Sequence, residues 1–291
     1  MDLEYIINDL NKDRTIKSIL KEKFYMSDRL IAKLKNTKQI YINNNPVYIN
    51  TDLHIGDTLT IDLCFDECSD NIIPTDMKLN ILFEDDSFLI LNKSAGMPVH
   101  PSMEHYNDSI SNGVKFYFNS TGLKRKIRPV NRLDRNTSGI VIFAKNQYVQ
   151  ECLIKQMKTN TMKKEYLAIV EGKLSQKKLT IDEPIARKEN SIIERCVSSN
   201  GKNAITEFEV LNEYNNYSLV KCILKTGRTH QIRVHSSYIN SPIIGDDLYG
   251  KKSNIINRQA LHAYRISFVH PILNEKIEIM AELPDDMKRI L

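Results

Sequence analysis

The stretch Arg128-Pro-Val-Asn-Arg-Leu-Asp-Arg-Asn-Thr-Ser-Gly-Ile-Val-Ile-Phe-Ala-Lys-Asn146 places one carboxylate, Asp134, in a polar turn directly before an apolar run. The run, residues 140–144, has the composition of a buried strand. Arg132 and Arg135 flank the carboxylate. A single acid between two arginines at the mouth of a strand suits chemistry on an anionic substrate. Aspartate is also common in turns where it only satisfies backbone amides, and that is the plain alternative.

The composition predicts a globular chain with no membrane-spanning segment. Its 291 residues are 41% hydrophobic and 26% charged, and no apolar run approaches the ~18 residues that a membrane helix needs. The first residues lack the basic segment that opens a secretory signal. The five cysteines are scattered without paired Cys-x-x-Cys spacing, which favours thiols in a reducing cytoplasm over a zinc site or a disulfide framework. The length predicts one large domain with a smaller one attached.

The net charge of +5 is unevenly distributed. Residues 12–38 contain nine Lys or Arg and three Asp or Glu, residues 63–90 contain one base and seven acids, and residues 91–291 contain 31 bases and 20 acids. Two basic segments joined by an acidic one are typical of a protein that contacts a polyanion at two places. Lysine-rich helices are also common as solvated surfaces, so charge favours a nucleic-acid partner without excluding that alternative.

Residues 1–63 predict a small unit of two helices and short strands. An apolar helical spacing covers residues 16–24, and Ser27 is placed to cap a second helix. Two short strands surround an Asn-rich turn in residues 39–49, and a further strand covers residues 59–63.

This pattern resembles the small α-L RNA-binding domain. The resemblance implies that the outward basic side chains of the second helix, Arg29, Lys33 and Lys35, contact RNA. A basic helix pair with no role in nucleic-acid binding is the alternative.

Residues 64–77 are acidic, contain Pro74 and show no periodicity, which predicts a linker before a larger domain at residues 78–291. Within that domain we predict helices over residues 147–158 and 229–239. Because strands and helices do not alternate regularly, an α+β fold with a mixed, largely antiparallel central sheet and flanking helices is favoured over a doubly wound fold. The predicted strands are residues 79–83, 88–91, 140–144, 166–170, 204–211, 218–224 and 266–269.

The segment around Asp134 resembles the signature of the RluA-type pseudouridine synthases, which reads His-Arg-Leu-Asp, two variable residues, then Thr-Ser-Gly and an apolar strand. The matching residues are Arg132, Leu133, Asp134, Thr137, Ser138 and Gly139. Asn131 stands where the signature has histidine. An asparagine can donate a hydrogen bond but cannot become positively charged by taking up a proton.

Further blocks of the family follow in order along the chain. They include residues 90–101, in which Ser94 replaces the usual proline after Lys93, and residues 164–172, which contain Tyr166. The remaining blocks are residues 224–235, 241–250 and 261–271. The resemblance covers roughly residues 78–291 and implies the pseudouridine synthase fold, with an active-site cleft across the middle of the sheet.

The resemblance also implies a reaction and its requirements. Pseudouridine formation breaks the bond between ribose carbon 1′ and uracil nitrogen 1, turns the base, and joins carbon 1′ to carbon 5. No atoms or electrons are gained or lost, so no cofactor and no metal is expected. The reaction needs an ionised carboxylate beside the sugar, which either attacks carbon 1′ or removes a proton from carbon 2′; the sequence leaves both routes open.

Asp134 is the expected catalytic carboxylate. Enclosure beside a base disfavours its charge, so a fixed cation should lie next to it, and Arg228 is the predicted partner. Tyr166 is expected to stack on the flipped uracil and to relay the proton that leaves carbon 5, although a tyrosine in an apolar strand is more often plain core. Arg132 is expected to fill the gap left by the extruded nucleotide.

Other side chains of the larger domain are predicted to contact RNA or to be structural. The basic side chains Lys93, Arg233, Lys251 and Lys252 are candidates for phosphate contacts. His230 and His235 lie five residues apart, which does not suit a shared zinc face, so we interpret both as structural or as RNA contacts.

The sequence therefore predicts an RNA pseudouridine synthase that acts on ribosomal or transfer RNA and has no evident obligate protein partner. One alternative is a catalytically silent RNA-binding or ribosome-assembly factor on the same fold. Another is a carboxylate-dependent glycosidase, which would need a second acid about 5–9.5 Å from the first. Glu165 adjoins Tyr166 but should point to the opposite face of its strand.

Overall fold

The computed structural model describes residues 1–10, 13, 15–69 and 71–291. Lys12 and Arg14 of the predicted basic segment, and Asp70 of the predicted linker, lie outside these residues. Among the helices of the described part, none is long and apolar enough to cross a bilayer.

The N-terminal unit is a small antiparallel sheet with two helices. Its elements are β1 (Asp2–Ile6), α1 (Ile16–Glu22), α2 (Asp28–Asn36), β2 (Ile40–Ile42), β3 (Asn45–Pro46) and β4 (Thr58–Asp62), and the strand order is β1-β4-β2-β3. Ser27 caps α2 as predicted, since its side chain accepts the backbone N–H of Leu30. Asn43 and Asn44 adopt positive φ angles in the turn between β2 and β3.

The apolar faces of α1 and α2 pack on this sheet. Leu20, Leu34, Leu59 and Ile61 are fully buried in a shared cluster. Tyr148, which belongs to the larger body, is buried in the same cluster, so the two parts of the chain share apolar contacts.

The segment 64–77 contains no helix or strand among its described residues, yet it packs against both parts. The carboxylate of Glu67 is buried and pairs with Lys33 of α2 and with Arg128, whose Nη2 lies 2.6 Å from Glu67 Oε1. The division of the chain at residues 63 and 77 stays a prediction. The contacts of Glu67 nevertheless tie this segment to the start of the Asp134 loop, residues 128–137.

The larger body is built on a nine-stranded sheet. Its elements are β5 (Ile81–Glu84), β6 (Phe88–Lys93), α3 (Ile110–Ser120), β7 (Ser138–Ala144), α4 (Gln147–Lys158), β8 (Lys163–Glu171), β9 (Lys178–Asp182), β10 (Ile185–Arg187), β11 (Arg195–Val197), β12 (Ile205–Glu213), β13 (Tyr217–Leu224), α5 (Gln231–Tyr238), β14 (Leu261–Val269), β15 (Lys276–Met280) and α6 (Asp285–Lys288). The order is β5-β6-β7-β14-β8-β13-β12-β9, with β15 beside β14 and a separate β10-β11 hairpin. Among the described pairings, β7 with β14 is parallel and the others are antiparallel, so the predicted mixed, largely antiparallel α+β fold is confirmed.

The seven predicted strands and the helix over residues 147–158 are present, with ends shifted by a few residues at most strands. The helix predicted from residue 229 begins instead at Gln231. Helices α3 and α6 and strands β1, β9, β10, β11 and β15 were not predicted from the sequence. Helix α3 contains Gly113, at which a Cβ would lie within 3 Å of the Met77 side chain, so tertiary packing rather than helix propensity selects it.

Strand β14 lies at the centre of the sheet because it joins β7 to β8. Gly139 at the start of β7 has φ +113°, and a Cβ there would lie within 3 Å of the Ala263 backbone on β14. Only glycine tolerates both that angle and that approach. The position of Asp134 relative to β14 therefore depends on Gly139.

Candidate active site

A cavity of about 750 Å³ opens across the middle of the sheet, at the mouth of β7. Asp134, Tyr166, Arg228, His230 and Arg233 all line it. Among the cavity-lining residues that the structure describes, Asp134 is the one carboxylate. Glu165 pairs with Arg265 and does not line the cavity, so among the described residues no second acid faces the cavity as a glycosidase needs.

The Asp134 loop is braced on one side by Asn131 and Lys93. Asn131 donates to the carbonyl of Ile140 and accepts the N–H of Ile142, each at 2.9 Å. Its amide thus pins the loop to β7, a role that needs both a donor and an acceptor but no charge. Lys93 is fully buried, and its Nζ donates to the carbonyl of Arg135 at 3.0 Å.

The other side of the Asp134 loop is braced by residues at the start of β14 and just before it. Arg258 donates to the carbonyl of Asn136 at 3.2 Å, and Gln259 donates to the Thr137 hydroxyl at 3.2 Å. The Ser138 hydroxyl lies 2.9 Å from Nδ1 of His262. The Thr-Ser-Gly run after Asp134 therefore has a structural explanation, since each of its polar side chains bonds to residues 259–262.

The cation beside Asp134 is Arg233. Its Nη1 lies 3.2 Å from Asp134 Oδ2, while its Nε and Nη2 donate to the fully buried Asp246 at 2.7 and 2.8 Å. Burial alone would lower the pKa of Arg233, but the hydrogen bonds and charge of Asp246, followed by those of Asp134, raise it. Arg233 therefore stays charged and its planar fork stays fixed.

The predicted pairing of Arg228 with Asp134 is wrong. Arg228 is exposed at the mouth of the cavity, and its Nε donates to the carbonyl of Asn203 at 2.8 Å. It precedes the left-handed turn at His230, whereas Arg233 lies on the face of α5 that points into the cavity. Sequence spacing could not decide between two arginines five residues apart.

Tyr166 lines the cavity from β8 and is buried. Burial, with a further contribution from the charge of Asp134, raises the pKa of its hydroxyl, so the group is a phenol rather than a phenolate at neutral pH. A flat aromatic ring with an uncharged hydroxyl, beside the carboxylate, is suited to stacking on a base.

Lys164, His100 and His230 also line the cavity, and the sequence analysis gave none of them a place beside Asp134. Lys164 lies two residues before Tyr166, so the alternation of a strand puts both on one face. Burial lowers the pKa of Lys164. The two-residue spacing from Tyr166 was therefore the sequence evidence that could have placed Lys164 in the cavity.

Three of the predicted RNA-contacting side chains are engaged within the protein, which does not support their predicted role. Lys93 is buried with its Nζ on three backbone carbonyls, and burial, helped by the charge of Arg258 and opposed by that of Asp134, lowers its pKa to about 7. Arg233 is committed to two carboxylates. Lys33 pairs with Glu67 and lies over the ring of Phe65.

Other predicted RNA contacts stay predictions. Arg29, Lys35 and Arg132 are exposed, and so are Lys251 and Lys252. The structural interpretation of His235 is confirmed, since both ring nitrogens are engaged by Thr206 and by the Glu183 carbonyl in the interior. His230 instead has Nε2 3.8 Å from Asp134 Oδ2, so reading it as a structural or RNA-contacting residue missed its place beside the carboxylate.

In the described part of the chain, no group of three or more His, Cys, Asp or Glu side chains has metal-binding geometry. The prediction that the reaction needs no metal or cofactor stays a prediction.

Comparison with known proteins identifies the family. The model of the RNA pseudouridylate synthase family matches residues 87–238. The uncharacterized RNA pseudouridine synthase YhcT of Bacillus subtilis (strain 168) is 40% identical over 290 residues, covering 99% of this chain and 96% of that protein. The ribosomal large subunit pseudouridine synthase D of Xanthomonas campestris pv. campestris is 30% identical over 302 residues, covering 98% of this chain and 90% of that protein.

Solved structures agree in fold. Human RNA pseudouridylate synthase domain containing 1 superposes with a TM-score of 0.59 at 26% identity, covering 70% of this chain and 83% of that chain. Human RNA pseudouridylate synthase domain containing 4 superposes with a TM-score of 0.59 at 22% identity, covering 72% of this chain and 90% of that chain.

This chain belongs to the RNA pseudouridylate synthase family. The predicted resemblance and the predicted fold of the larger body are confirmed, and the chain is an RNA pseudouridine synthase that isomerises uridine in RNA. The assignment of residues 1–63 to the α-L RNA-binding domain stays a prediction.

Proposed function

We propose that this chain isomerises specific uridines of ribosomal RNA, with Asp134 as the essential carboxylate. The observation that carries the catalytic assignment is the position of Asp134, the one carboxylate among the described residues that line the cavity, held by Arg233 at 3.2 Å. Relatives named as ribosomal large subunit pseudouridine synthase D support ribosomal RNA over transfer RNA.

Asp134 acts on the sugar of an extruded nucleotide by one of two routes. In the first, the carboxylate attacks carbon 1′, the bond to nitrogen 1 breaks, and its electron pair stays on the uracil. In the second, the carboxylate removes the carbon 2′ proton and the same bond breaks to leave a glycal. In the first route carbon 5 of the turned base then attacks carbon 1′ and displaces the Asp134 carboxylate; in the second, carbon 5 adds to carbon 1′ of the glycal while Asp134 returns the proton to carbon 2′. In both routes carbon 5 then loses its proton and nitrogen 1 gains one.

Arg233 places a fixed positive charge 3.2 Å from Asp134 Oδ2 and so orients the carboxylate in the cavity. The bidentate bonds to Asp246 prevent the guanidinium from turning away. Arg233 has the role that was predicted for Arg228. Arg228 contacts the RNA backbone instead, and its exposure at the cavity mouth supports this.

Tyr166 supports the flipped uracil by stacking, and its hydroxyl relays the proton that leaves carbon 5. Support comes from its burial in the cavity wall and from the raised pKa of the hydroxyl, which keeps the side chain neutral. In the relay the oxygen takes the carbon 5 proton as the hydroxyl's own proton passes to solvent, so the hydroxyl ends neutral. Arg132, exposed at the cavity rim, occupies the gap in the RNA helix after base extrusion.

The N-terminal unit binds a neighbouring RNA helix through the exposed side chains of α2, Arg29 and Lys35, by contacts to phosphate. Its attachment to the body supports this role, since Ser27 donates to Glu151 of α4 at 2.7 Å and Lys155 of α4 lies 3.5 Å from the ring centroid of Tyr25. The reaction takes place in the cytoplasm, as the scattered cysteines without zinc or disulfide spacing support.

Mapping of carbodiimide-modified uridines by primer extension tests the proposal. Ribosomal and transfer RNA are compared from cells that lack the protein, cells that express it, and cells that express Asp134→Asn. We expect stops in ribosomal RNA that depend on the protein and vanish with Asp134→Asn.

Three results would contradict the proposal in distinguishable ways. Stops confined to transfer RNA would refute the substrate, and stops that persist with Asp134→Asn would refute the catalytic residue. RNA unaltered by the protein would favour the silent RNA-binding factor.

A further inference from the structure

The hydroxyl group of Tyr249 connects strand β11 to the ring of His230. It accepts the backbone N–H of Arg195 at 2.8 Å and lies 2.8 Å from His230 Nδ1. The two rings meet edge to face, with centroids 5.6 Å apart and an interplanar angle of 74°. One oxygen therefore faces both a backbone donor and a ring nitrogen.

The hydrogen bonds at this oxygen favour one tautomer of His230. The oxygen already accepts the Arg195 N–H, and Nδ1 is the acceptor that the described residues offer to its one proton. A neutral imidazole that accepts at Nδ1 carries its hydrogen on Nε2. Burial lowers the pKa of His230 and raises that of Tyr249, so both side chains are neutral near pH 7.

The Nε2 hydrogen of His230 lies toward Asp134. The distance from Nε2 to Asp134 Oδ2 is 3.8 Å, and Arg233 Nη1 approaches the same oxygen at 3.2 Å. Among the described residues, none donates a hydrogen bond to Asp134 Oδ1. The two oxygens of the carboxylate therefore differ in their contacts. Oδ2 lies beside Arg233 and His230, whereas Oδ1 is available to contact the substrate.

The backbone of His230 is also unusual. The residue precedes α5 with φ 58° and ψ 21°, in the left-handed region, and its side chain makes no capping hydrogen bond to the helix. Ser, Thr, Asn or Asp in extended conformation is the ordinary residue at such a position. A left-handed residue that is not glycine persists only where surrounding contacts hold it, and such residues cluster at functional sites.

We propose that His230 is a positioning residue for Asp134: its Nε2 hydrogen holds Oδ2, so that Oδ1 faces the ribose, and the Tyr249 hydroxyl sets the required tautomer. The inference rests on the proposed catalytic role of Asp134. A gap of 3.8 Å is longer than a hydrogen bond, and such contacts commonly shorten once substrate closes the site. No proton is transferred in this role.

Substitutions of His230 separate the effect of its hydrogen-bond donor from the effect of its left-handed backbone conformation. His230→Asn retains a residue that tolerates the left-handed conformation but is too short to reach Asp134, whereas His230→Gln restores a donor of greater reach. With a transcript containing the mapped uridine, we expect His230→Asn to lower kcat by about 10- to 100-fold, as for loss of one hydrogen bond to a charged group, without a change in RNA affinity. His230→Gln should recover part of the loss, and Tyr249→Phe should lower kcat by less than His230→Asn.

The tautomer is measured directly by ¹⁵N NMR of the histidine rings in the wild-type protein, with the His230 signals assigned through the variants. We expect hydrogen on Nε2 in the wild type and a population with hydrogen on Nδ1 in Tyr249→Phe, a change that a purely structural role does not predict. If melting curves show that His230→Asn does not fold, the spectra of the wild type and of Tyr249→Phe still test the tautomer, and a lowered kcat of Tyr249→Phe tests its effect on Asp134.

Hydrogen on Nδ1 in the wild type, or a wild-type kcat in folded His230→Asn, would overturn the inference. Asp134→Asn separates this result from failure of the proposed function. If Asp134→Asn is inactive while His230→Asn is fully active, only the role of His230 is wrong; if Asp134→Asn is active, the catalytic assignment itself is wrong.

Discussion

Arg233 holds two carboxylates at once, with Nη1 3.2 Å from Asp134 Oδ2 and with Nε and Nη2 on Asp246. The contact to Asp246 is fully buried, whereas Asp134 remains partly exposed to the cavity. The buried pair thus fixes the guanidinium, and the third nitrogen is presented to the catalytic carboxylate. Lysine could not do both, because its single ammonium lacks the planar fork.

Substitution Arg233→Lys should therefore lower kcat by about 10- to 100-fold, the effect of losing a charge-assisted hydrogen bond, with little change in RNA affinity. Arg228→Lys is the matched control and should change kcat little, since among the described residues the Arg228 side chain bonds the Asn203 carbonyl and not Asp134. Single-turnover rates and filter binding separate the two quantities. A larger loss of kcat in Arg228→Lys than in Arg233→Lys would support the prediction from the sequence that Arg228 is the partner of Asp134.

Tyr166→Phe should keep RNA affinity and lose at least about tenfold in kcat, because the ring still stacks but the hydroxyl that receives the carbon 5 proton is gone. Tyr166→Leu should lose affinity as well, by the ~1–3 kcal/mol that stacking on one base contributes. The measurements are the dissociation constant and the single-turnover rate of each variant. A wild-type rate in Tyr166→Phe would limit Tyr166 to stacking.

Glu67→Gln should destabilise the protein by about 3 kcal/mol at pH 7, because Arg128 is left buried without a counter-charge. Burial alone would raise the pKa of Glu67, but the hydrogen bonds and charges of Arg128 and Lys33 lower it overall. Because the pKa of Glu67 is lower in the folded than in the unfolded protein, its charge stabilises the fold fully when the pH is above the unfolded-state pKa. This stabilisation is lost as the pH falls through the folded-state pKa.

The difference in free energy of unfolding between the wild type and Glu67→Gln should accordingly shrink as the pH falls below about 4. Urea denaturation at pH 7, 5 and 3.5 measures it. A difference that is constant with pH would mean that Glu67 contributes by packing and not by charge.

The double substitution of Arg29 and Lys35 by Gln should weaken RNA binding and reduce the slope of log K against log salt by about 1 to 2, one counter-ion contact for each side chain. Lys33→Gln is the control from the same helix. Since Lys33 is paired with Glu67, we expect its loss to leave the slope unchanged. Equal effects of the two substitutions would argue against an RNA-binding face made by Arg29 and Lys35.

Gly139→Ala should lower the free energy of unfolding by about 3 kcal/mol, because the added methyl group meets the Ala263 backbone and φ is +113°. Gly122→Ala isolates the backbone term, since φ there is +73° and nothing lies within 4 Å of the new Cβ. It should cost about 1 kcal/mol. Comparable losses at both positions would show that the approach of Ala263 is relaxed easily.

Regular elements with strong periodicity could be predicted from the sequence. Strand β7 and helix α4 follow from an apolar run and an amphipathic spacing, and α4 begins and ends at the predicted residues. Helix α3 could not be predicted in this way, because residues 110–120 combine Gly, Asn, Ser and aromatic residues of modest helix propensity. Its apolar face, with Val114 and Phe118 fully buried, is defined only by the folded body.

The site shows the same division between local pattern and tertiary contact. The location of Asp134 at the mouth of β7 and of Tyr166 on β8 follows from motif and strand pattern. The partner of Asp134 does not, because Arg233 and Arg228 differ only in how the turn at His230 directs the chain. The engagement of Lys33 by Glu67 likewise depends on an approach between residues 34 positions apart.

The central place of β14 has a consequence for synthesis of the protein on the ribosome. Until residues 261–269 have emerged, the strands made earlier form two separate sheets, one leading from the Asp134 loop and the other carrying Tyr166. A chain that lacks β14 therefore holds Asp134 and Tyr166 without the strand that brings them together. Since domains fold as units, we expect catalytic competence only after this late strand has joined the sheet.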